Sequence, residues 1–258
     1  DAAGFTNKSM IKIPAVHQAD RWLIDFEVLE TAAAKPEAQL LLFCNPQNPT
    51  GRVASKEELA KLADICLRHD VIICSDEIHA DFVFDGKTHL PIASLSDEVS
   101  RQTITLSAPS KSFGLSGIGG GYAIIENKAM RKKFIAASEG LFANLSDLAI
   151  VAMESAYADC DDWLAALLAY LHDNRAMAHS HLSALPGLTT DMPEATYFQW
   201  LDFRGSGLND PHATLVEAGI ALSDGARFGL PGFLRLNFAT PKARLAEALA
   251  RIEGKLSG

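Results

Sequence analysis

Three short polar motifs, each following a run of apolar residues, hold the side chains best suited to chemistry. They are NPQNPTG at 45–51, SDEIH at 75–79 and SAPSKSFG at 107–114. Polar residues just past the ends of parallel strands commonly bind ligands, because backbone groups stay unpaired there. An amide, a carboxylate and a lysine amine at one sheet edge predict a binding site whose lysine can attack a carbonyl carbon.

Lys111 is the most informative of these side chains. It lies among small residues, hydroxyls and a proline directly after an apolar run, where a solvated surface lysine fits poorly. An amine removed from water is a nucleophile able to form a Schiff base with a carbonyl. Asp76 also follows an apolar run, where an unpaired charge is costly, so we expect it to have a cationic partner.

Each of these polar residues could also have a purely structural role. Asn48, oriented by the two prolines and the glycine of its turn, can donate to a ligand oxygen or only satisfy the turn. Asp76, taken alone, would more often be a helix N-cap or a structural ion pair. His79, taken alone, would more often be a packed, hydrogen-bonded histidine.

The elements around the motifs predict a mostly parallel sheet. The apolar runs at 39–44, 71–75 and 103–106 are typical of buried strands, the first of them buried on both faces, and a fourth strand is expected at 121–125. Between the first two, Ser55 and Glu58 form a capping box that opens a helix with one apolar stripe. The order strand, helix, strand predicts parallel pairing and an α/β fold.

The second half of the chain predicts a helical connection and a smaller domain. Helical periodicity begins at Lys128 and continues over 141–184, with a break at 159–162. Residues 196–203 and 233–238 are predicted as half-exposed strands, and a last helix opens at Thr240–Pro241. We therefore expect a large domain with its connecting helix over 1–165 and a small C-terminal α+β domain over 166–258.

Composition excludes several classes of protein. The 258 residues are 48% hydrophobic and carry a net charge of -9, which indicates a globular protein without a basic surface for nucleic acid or acidic lipid. No apolar stretch approaches the roughly 20 residues of a membrane helix. The four cysteines are too few for a disulfide scaffold and show no zinc-binding spacing. We expect no metal, no nucleic-acid or membrane partner, and a cytoplasmic location.

In this order and at these spacings, the three motifs resemble those of the fold-type I pyridoxal-phosphate enzymes, the class I/II aminotransferase family. The resemblance spans essentially the whole chain and implies an aspartate-aminotransferase-like α/β fold with pyridoxal 5'-phosphate as cofactor. SDEIH and SAPSKSFG, with WLAALLAYLHDN at 163–174 and FLRLNF at 233–238, resemble the MalY/PatB branch. Its activity is cystathionine β-lyase or a related carbon–sulfur lyase.

The resemblance also implies a role for each candidate residue. Lys111 would bind the cofactor covalently and act as the catalytic base, and Asp76 would pair with the pyridinium nitrogen. Asn48 would donate to the phenolic oxygen of the ring, with His79 close to the same edge. The phosphate would contact Ser110 and Ser107. Arg235 would bind the α-carboxylate of the substrate rather than face solvent.

The phosphate-binding residues depart from the pattern of many relatives. Ala108 stands where a hydroxyl is common, and Gly119 stands where many aminotransferases have an arginine. The second departure is shared by the lyase-like branch.

The function implied is elimination of a thiol from an L-cysteine-type amino acid to give pyruvate and ammonia. An aminotransferase using the same residues is the alternative, and a non-catalytic regulatory module of the same fold is a further one. Because members of the family have a substantial segment before the point where this chain starts, we expect the chain to lack that N-terminal part, and alone to have little activity. The full-length protein is expected to be a homodimer.

Overall fold

The structure is a computed structural model that describes residues 8–141 and 144–256. It begins with an antiparallel hairpin of β1 (Ala15–Gln18) and β2 (Arg21–Ile24), followed by α1 (Phe26–Ala33). Trp22 of the hairpin packs against Trp200 and Phe233 of the C-terminal region. The hairpin therefore contacts the part of the chain that also carries Arg235.

The central sheet has four strands in the order β3, β4, β5, β6. They are β3 (Leu40–Cys44), β4 (Ile72–Asp76), β5 (Thr103–Ser107) and β6 (Tyr122–Ile124). The first three pair in parallel, and β6 pairs antiparallel with β5. The prediction of a mostly parallel sheet in an α/β fold is confirmed.

The helix between β3 and β4 is α2 (Lys56–Arg68). Its predicted capping box is present, with the Ser55 side chain accepting from the Glu58 amide and the Glu58 side chain accepting from the Ser55 amide. Its apolar stripe packs against the sheet in a buried core that includes Leu59, Leu62 and Ile73. A short helix, α3 (Asp97–Arg101), precedes β5.

The prediction that the first strand is buried on both faces is wrong. Leu41 and Phe43 pack against the α2 core, whereas Leu40 and Leu42 on the opposite face are 51% and 66% exposed. The strand lies at the edge of the sheet, and the described elements cover only one of its faces. An all-apolar run therefore predicts that a strand forms, but it does not show whether each face of that strand is covered.

In the described part of the chain, four helices lie between β5 and the C-terminal sheet. They are α4 (Pro109–Ser112), α5 (Lys128–Ser138), α6 (Asp147–Asp159) and α7 (Asp161–Ser183). The predicted break in the helical stretch is present as a single residue, Cys160, while residues 142–143 lie outside the described residues. The proposed domain boundary at 165 falls within α7 and stays a prediction; residues 1–7 and 257–258 of the two domains are also outside the description.

The C-terminal region contains an antiparallel sheet in the order β7, β8, β10, β9. Its elements are β7 (Thr189–Thr190), β8 (Phe198–Asp202), α8 (Pro211–Glu217), β9 (Ser223–Asp224), β10 (Phe233–Asn237) and α9 (Lys242–Leu256). The last helix buries Leu245, Leu249 and Ile252.

The prediction that residues 196–203 form a half-exposed strand is wrong in its burial. Four consecutive residues of β8, from Phe198 to Leu201, are buried. Leu201 belongs to the core formed with the helices, and Trp200 on the other face packs against Trp22. Because both faces are covered, the alternation expected of a half-exposed strand is lost.

The C-terminal core also receives residues from the first half of the chain. Phe82 and Phe84, which follow β4, pack with Leu201 and Leu234. The amide of Thr196 donates to the Phe82 carbonyl across 2.8 Å. These contacts join the segment after SDEIH to the strand region that carries Arg235.

No helix in the described part of the chain is long and apolar enough to cross a membrane.

Candidate active site

Asn48 lies in a tight loop at the carboxyl end of β3. The Gly51 amide donates to the Gln47 carbonyl and the Gln47 amide to the Arg52 carbonyl, both across 2.8 Å, which closes the loop. Gly51 has φ +71°, and a Cβ there would lie 2.5 Å from Pro193 Cβ. Only glycine therefore allows the loop to approach the segment before β8, where the Ala195 amide donates to the Gly51 carbonyl across 2.7 Å.

Arg235, on β10, points toward this loop. Its Nη1 donates to Asn48 Oδ1 across 2.6 Å, and its Nη2 donates to Ser223 Oγ across 3.1 Å. The guanidinium carbon lies 4.0 Å from the centre of the Phe198 ring and 5.1 Å from that of Phe228. The guanidinium is thus fixed in place by two hydrogen bonds and two aromatic rings.

The Arg235 charge has no counter-ion within the described residues: no carboxylate lies within 4.0 Å of it. Its Nε is buried without a hydrogen-bond partner in that part of the chain, and burial lowers the pKa of the guanidinium. A partly desolvated cation with an unused donor is suited to binding a carboxylate.

His79 is almost fully buried, with 3% of its surface exposed. The rings of Phe82, Tyr197 and Phe198 surround it, with centroids 5.3 to 6.1 Å away. Burial, helped by the charges of Lys111 and Arg235, lowers the pKa of His79 to about 4. The imidazole is therefore neutral at pH 7, and within the described chain its buried Nδ1 has no hydrogen-bond partner.

Asp76 is the last residue of β4 and is half-buried. Its carbonyl accepts from the Asn45 amide across 3.1 Å, and its Oδ1 accepts from the Ile78 amide across 3.2 Å. Among residues 8–141 and 144–256, no lysine, arginine or histidine lies within 4.0 Å of the carboxylate. The cationic partner expected for Asp76 is thus not one of these side chains.

Cys44 lies beside Asp76 in the register of β3 and β4. Burial, together with the Asp76 charge, raises the pKa of the Cys44 thiol to about 11. The thiol is therefore protonated at neutral pH and unsuited to act as a nucleophile. Lys111 therefore remains the candidate nucleophile at this end of the sheet.

Lys111 lies in the short helix α4 and is half-buried. The next residue, Ser112, is 1% exposed and donates to Asp81 Oδ2 across 2.5 Å, which ties this helix to the segment after β4. Lys111 and Arg235 both contribute to the lowered pKa of His79. The amine and the guanidinium therefore both lie close enough to His79 for their charges to act on the imidazole.

The two serines predicted to contact a phosphate are placed differently. Ser107 ends β5 beside the Tyr157 hydroxyl, which lies 3.1 Å from the Tyr122 hydroxyl. Ser110 is in α4, where its carbonyl accepts from Ser116 Oγ across 3.3 Å. The glycine turn at 117–121 lies close to the end of β5, because a Cβ on Gly121 would lie 3.3 Å from the Ser107 carbonyl oxygen.

The aromatic residues that surround His79 and Arg235 could not be identified as part of the site from the sequence. Tyr197 and Phe198 follow Thr196, which is fully buried with φ +68°. This conformation is strained for a β-branched residue, and such strain is concentrated at functional sites. The aromatic residues within 197–203 predict only a strand, and nothing in the linear sequence shows which rings lie near Arg235.

The arrangement combines complementary chemical groups at the carboxyl edge of the sheet. A carboxylate without a protein cation can bind a protonated ring nitrogen, and an amine can bind a carbonyl carbon and move a proton. An oriented guanidinium can bind the carboxylate of a second molecule. These groups suit amino-acid chemistry on an aldehyde cofactor.

Comparison with known proteins agrees with this assignment of chemistry. The family model described as aminotransferase class I and II matches residues 6–252. The chain is similar to the protein named cystathionine beta-lyase PatB of Bacillus subtilis, with 38% identity over 95% of this chain, and to protein MalY of Escherichia coli, with 36% identity over 94%. It spans 65% and 64% of the lengths of these two relatives.

A solved structure shows the same fold. The crystal structure of cystalysin from Treponema denticola, which contains a pyridoxal 5'-phosphate cofactor, superposes with a TM-score of 0.94 at 31% identity. The match covers 98% of this chain and 66% of cystalysin.

Proposed function

Because the chain belongs to the class I and II aminotransferase family, we propose that the protein is a pyridoxal-phosphate-dependent carbon–sulfur β-lyase. Its substrate is an L-cysteine-type amino acid such as cystathionine, and its products are a thiol, pyruvate and ammonia. The observation that carries this proposal is the Arg235 guanidinium, held by Asn48 and lacking a carboxylate partner in the described chain. Its charge, like that of Lys111, acts on His79.

The residues at the site fit the cofactor. Asp76 would bind the ring nitrogen, because its half-buried carboxylate has no cationic side chain within 4.0 Å in the described chain. Lys111 would bind the aldehyde carbon, and Asn48 would donate to the phenolic oxygen through its amide nitrogen, since its amide oxygen already accepts from Arg235. Pyridoxal phosphate, when bound, supplies an electron-accepting ring that stabilises negative charge at the substrate α-carbon.

His79 and two serines would supply the remaining cofactor contacts. His79, neutral and with its Nδ1 unused in the described chain, would lie beside the same ring edge as Asn48. The phosphate would lie near Ser107 and Ser110 at the amino end of α4, with the backbone of the glycine turn at 117–121 nearby. Gly119 of that turn stands at the sequence position where many aminotransferases have an arginine.

The chain's own groups would then carry out the reaction. Arg235 would bind the substrate α-carboxylate and orient the α-hydrogen toward Lys111. The Lys111 amine, released from the aldehyde carbon when the substrate amine replaces it there, would take the proton as general base. The electron pair of the broken C–H bond forms the Cα–Cβ double bond while the Cβ–S bond breaks and sulfur leaves with its electron pair. Hydrolysis of the resulting enamine gives pyruvate and ammonia.

An aminotransferase is the second candidate, because the matching family model is named for that activity. Transamination uses the same lysine, aspartate, asparagine and arginine and differs in where the proton is returned. The similarity to the protein named cystathionine beta-lyase PatB favours the lyase. We also propose that the full-length protein is a homodimer in the cytoplasm and that residues 1–165 and 166–258 are its two domains.

The test is a side-by-side assay of the full-length protein with pyridoxal phosphate. We expect cystathionine to give equal amounts of pyruvate and ammonia at a rate well above that of transfer between an amino acid and an oxo acid. Arg235→Ala should lower kcat/KM by about 100-fold, because removing one partner of a carboxylate pair costs about 3 kcal/mol.

The matched control is Arg227→Ala, which removes an exposed arginine of the turn before β10 and should leave kcat/KM unchanged. Transfer of the amino group without pyruvate formation would establish the aminotransferase instead. Equal loss of activity in the two arginine variants would refute the assignment of Arg235 to the substrate.

A further inference from the structure

A buried polar cluster lies against β4 and has no part in the chemistry described above. It consists of Ser75, Glu77 and His89; Ser75 is fully buried, and the side chains of Glu77 and His89 are 5% and 8% exposed. Ser75 Oγ donates to Glu77 Oε1 across 2.9 Å, and His89 Nε2 lies 2.8 Å from Glu77 Oε2. Because the carboxylate accepts, the His89 Nε2–H donates.

Both oxygens of the Glu77 carboxylate thus have a donor. A buried carboxylate is costly unless its oxygens are hydrogen-bonded, so the cluster is stable in this arrangement and loses stability when either donor is removed. Ser75 and Glu77 are two residues apart, and their hydrogen bond holds the intervening peptide groups in one conformation.

The residue between them is Asp76. Its carbonyl accepts from the Asn45 amide across 3.1 Å, and the Glu77 amide donates to the Leu106 carbonyl across 2.9 Å. These two bonds tie the end of β4 to the neighbouring strands on both sides. Successive side chains of a strand point to opposite faces, so the Ser75–Glu77 bond lies on the face opposite to the Asp76 carboxylate.

We propose that Glu77, locked by Ser75 and His89, is a positioning residue that sets the direction of the Asp76 carboxylate toward the cofactor ring nitrogen. The inference rests on the proposed function, since it assigns a purpose to the direction of Asp76. His89 acts through Glu77 and contributes by holding the second carboxylate oxygen.

The test compares His89→Leu with His89→Gln in the full-length protein. Leucine removes the donor, whereas the glutamine amide can donate in place of Nε2–H. We expect His89→Leu to raise the dissociation constant of pyridoxal phosphate about tenfold and to lower kcat, with KM for the amino acid within about twofold. His89→Gln should stay within about threefold of the wild type in both quantities. If His89→Leu does not fold, Ser75→Ala removes the other donor and should raise the dissociation constant about threefold.

Asp85→Asn is the control for general loss of stability. Asp85 accepts from Arg175 Nη2 across 2.6 Å, and this variant should melt at a lower temperature with unchanged cofactor affinity. Wild-type cofactor affinity in Ser75→Ala and His89→Leu, or equal weakening in Asp85→Asn, would overturn the inference. Failure of the proposed function would be recognised by a different result: the visible absorbance band of the bound cofactor would persist in Lys111→Ala.

Discussion

Arg235 Nη1 and Asn48 Oδ1 lie 2.6 Å apart, which joins the proposed substrate-binding cation to the proposed cofactor-binding amide. The two residues are 187 positions apart in the chain, one on β10 and the other in the loop after β3. The bond fixes the Asn48 amide with its oxygen toward Arg235, so its nitrogen is available for another acceptor. Binding of a carboxylate to Arg235 and contact of Asn48 with the ring are therefore linked through one side chain.

Replacing Asn48 with aspartate tests this relationship. A carboxylate at the position of the amide oxygen would pair with Arg235 and compete with the substrate carboxylate, so Asn48→Asp should raise KM for the amino acid about tenfold or more. Asn48→Ala removes the same hydrogen bond without adding charge and should raise KM less. Steady-state kinetics of both variants provide the measurement, and an equal KM in Asn48→Asp and wild type would contradict the geometry.

The buried His79 makes stability depend on pH. Its pKa in the folded protein, about 4, is below the ordinary histidine value of 6.5, so below pH 6.5 the unfolded chain binds a proton that the folded chain does not. The free energy of unfolding should therefore decrease as the pH falls. Protonation of His79 in the unfolded chain should account for a decrease of about 2 kcal/mol between pH 7 and pH 5. Chemical denaturation at the two pH values measures the loss.

His79→Phe should remove this part of the pH dependence while keeping the aromatic packing. His212→Phe, at a half-buried histidine of α8, is the control and should behave as the wild type. If His79→Phe lost as much stability on acidification as the wild type does, another group would be responsible for the pH dependence.

Gly51 allows the Asn48 loop to contact the segment before β8. Gly51→Ala should destabilise the protein by at least about 2 kcal/mol, because a left-handed φ is strained for alanine and the new Cβ would overlap Pro193 Cβ. Gly86→Ala is the matched control: Gly86 has φ +70° with no atom within 4 Å of an added Cβ, so only about 1 kcal/mol is expected. Equal losses in the two variants would mean that the close approach is unimportant.

The local elements of the first half could be predicted from the sequence. The capping box at Ser55 and Glu58, the parallel strands and the polar residues at their ends depend on neighbouring residues and on period, which a linear sequence shows. The environment of each strand could not be predicted in this way. Leu42 is exposed and Gln199 is buried, because burial depends on which distant elements cover each face.

The same limit applies to the site. The resemblance to a known family named Lys111, Asp76 and Arg235, and the structure brings Arg235 to Asn48 and both cations to His79. The Phe198 ring beneath the guanidinium and the buried cluster at Glu77 depend on contacts between residues far apart in sequence. No local pattern marks such contacts, so these residues could be found only from the fold.

The central claim is that Lys111 binds pyridoxal phosphate covalently. The most direct measurement is reduction of the full-length protein with borohydride in the presence of the cofactor, followed by peptide mass analysis. We predict one added reduced cofactor, located on Lys111, absent from Lys111→Ala and retained in Lys133→Ala, which removes an exposed lysine of α5. Cofactor mass on a different lysine with Lys111 unmodified, or no added mass at all, would contradict the account.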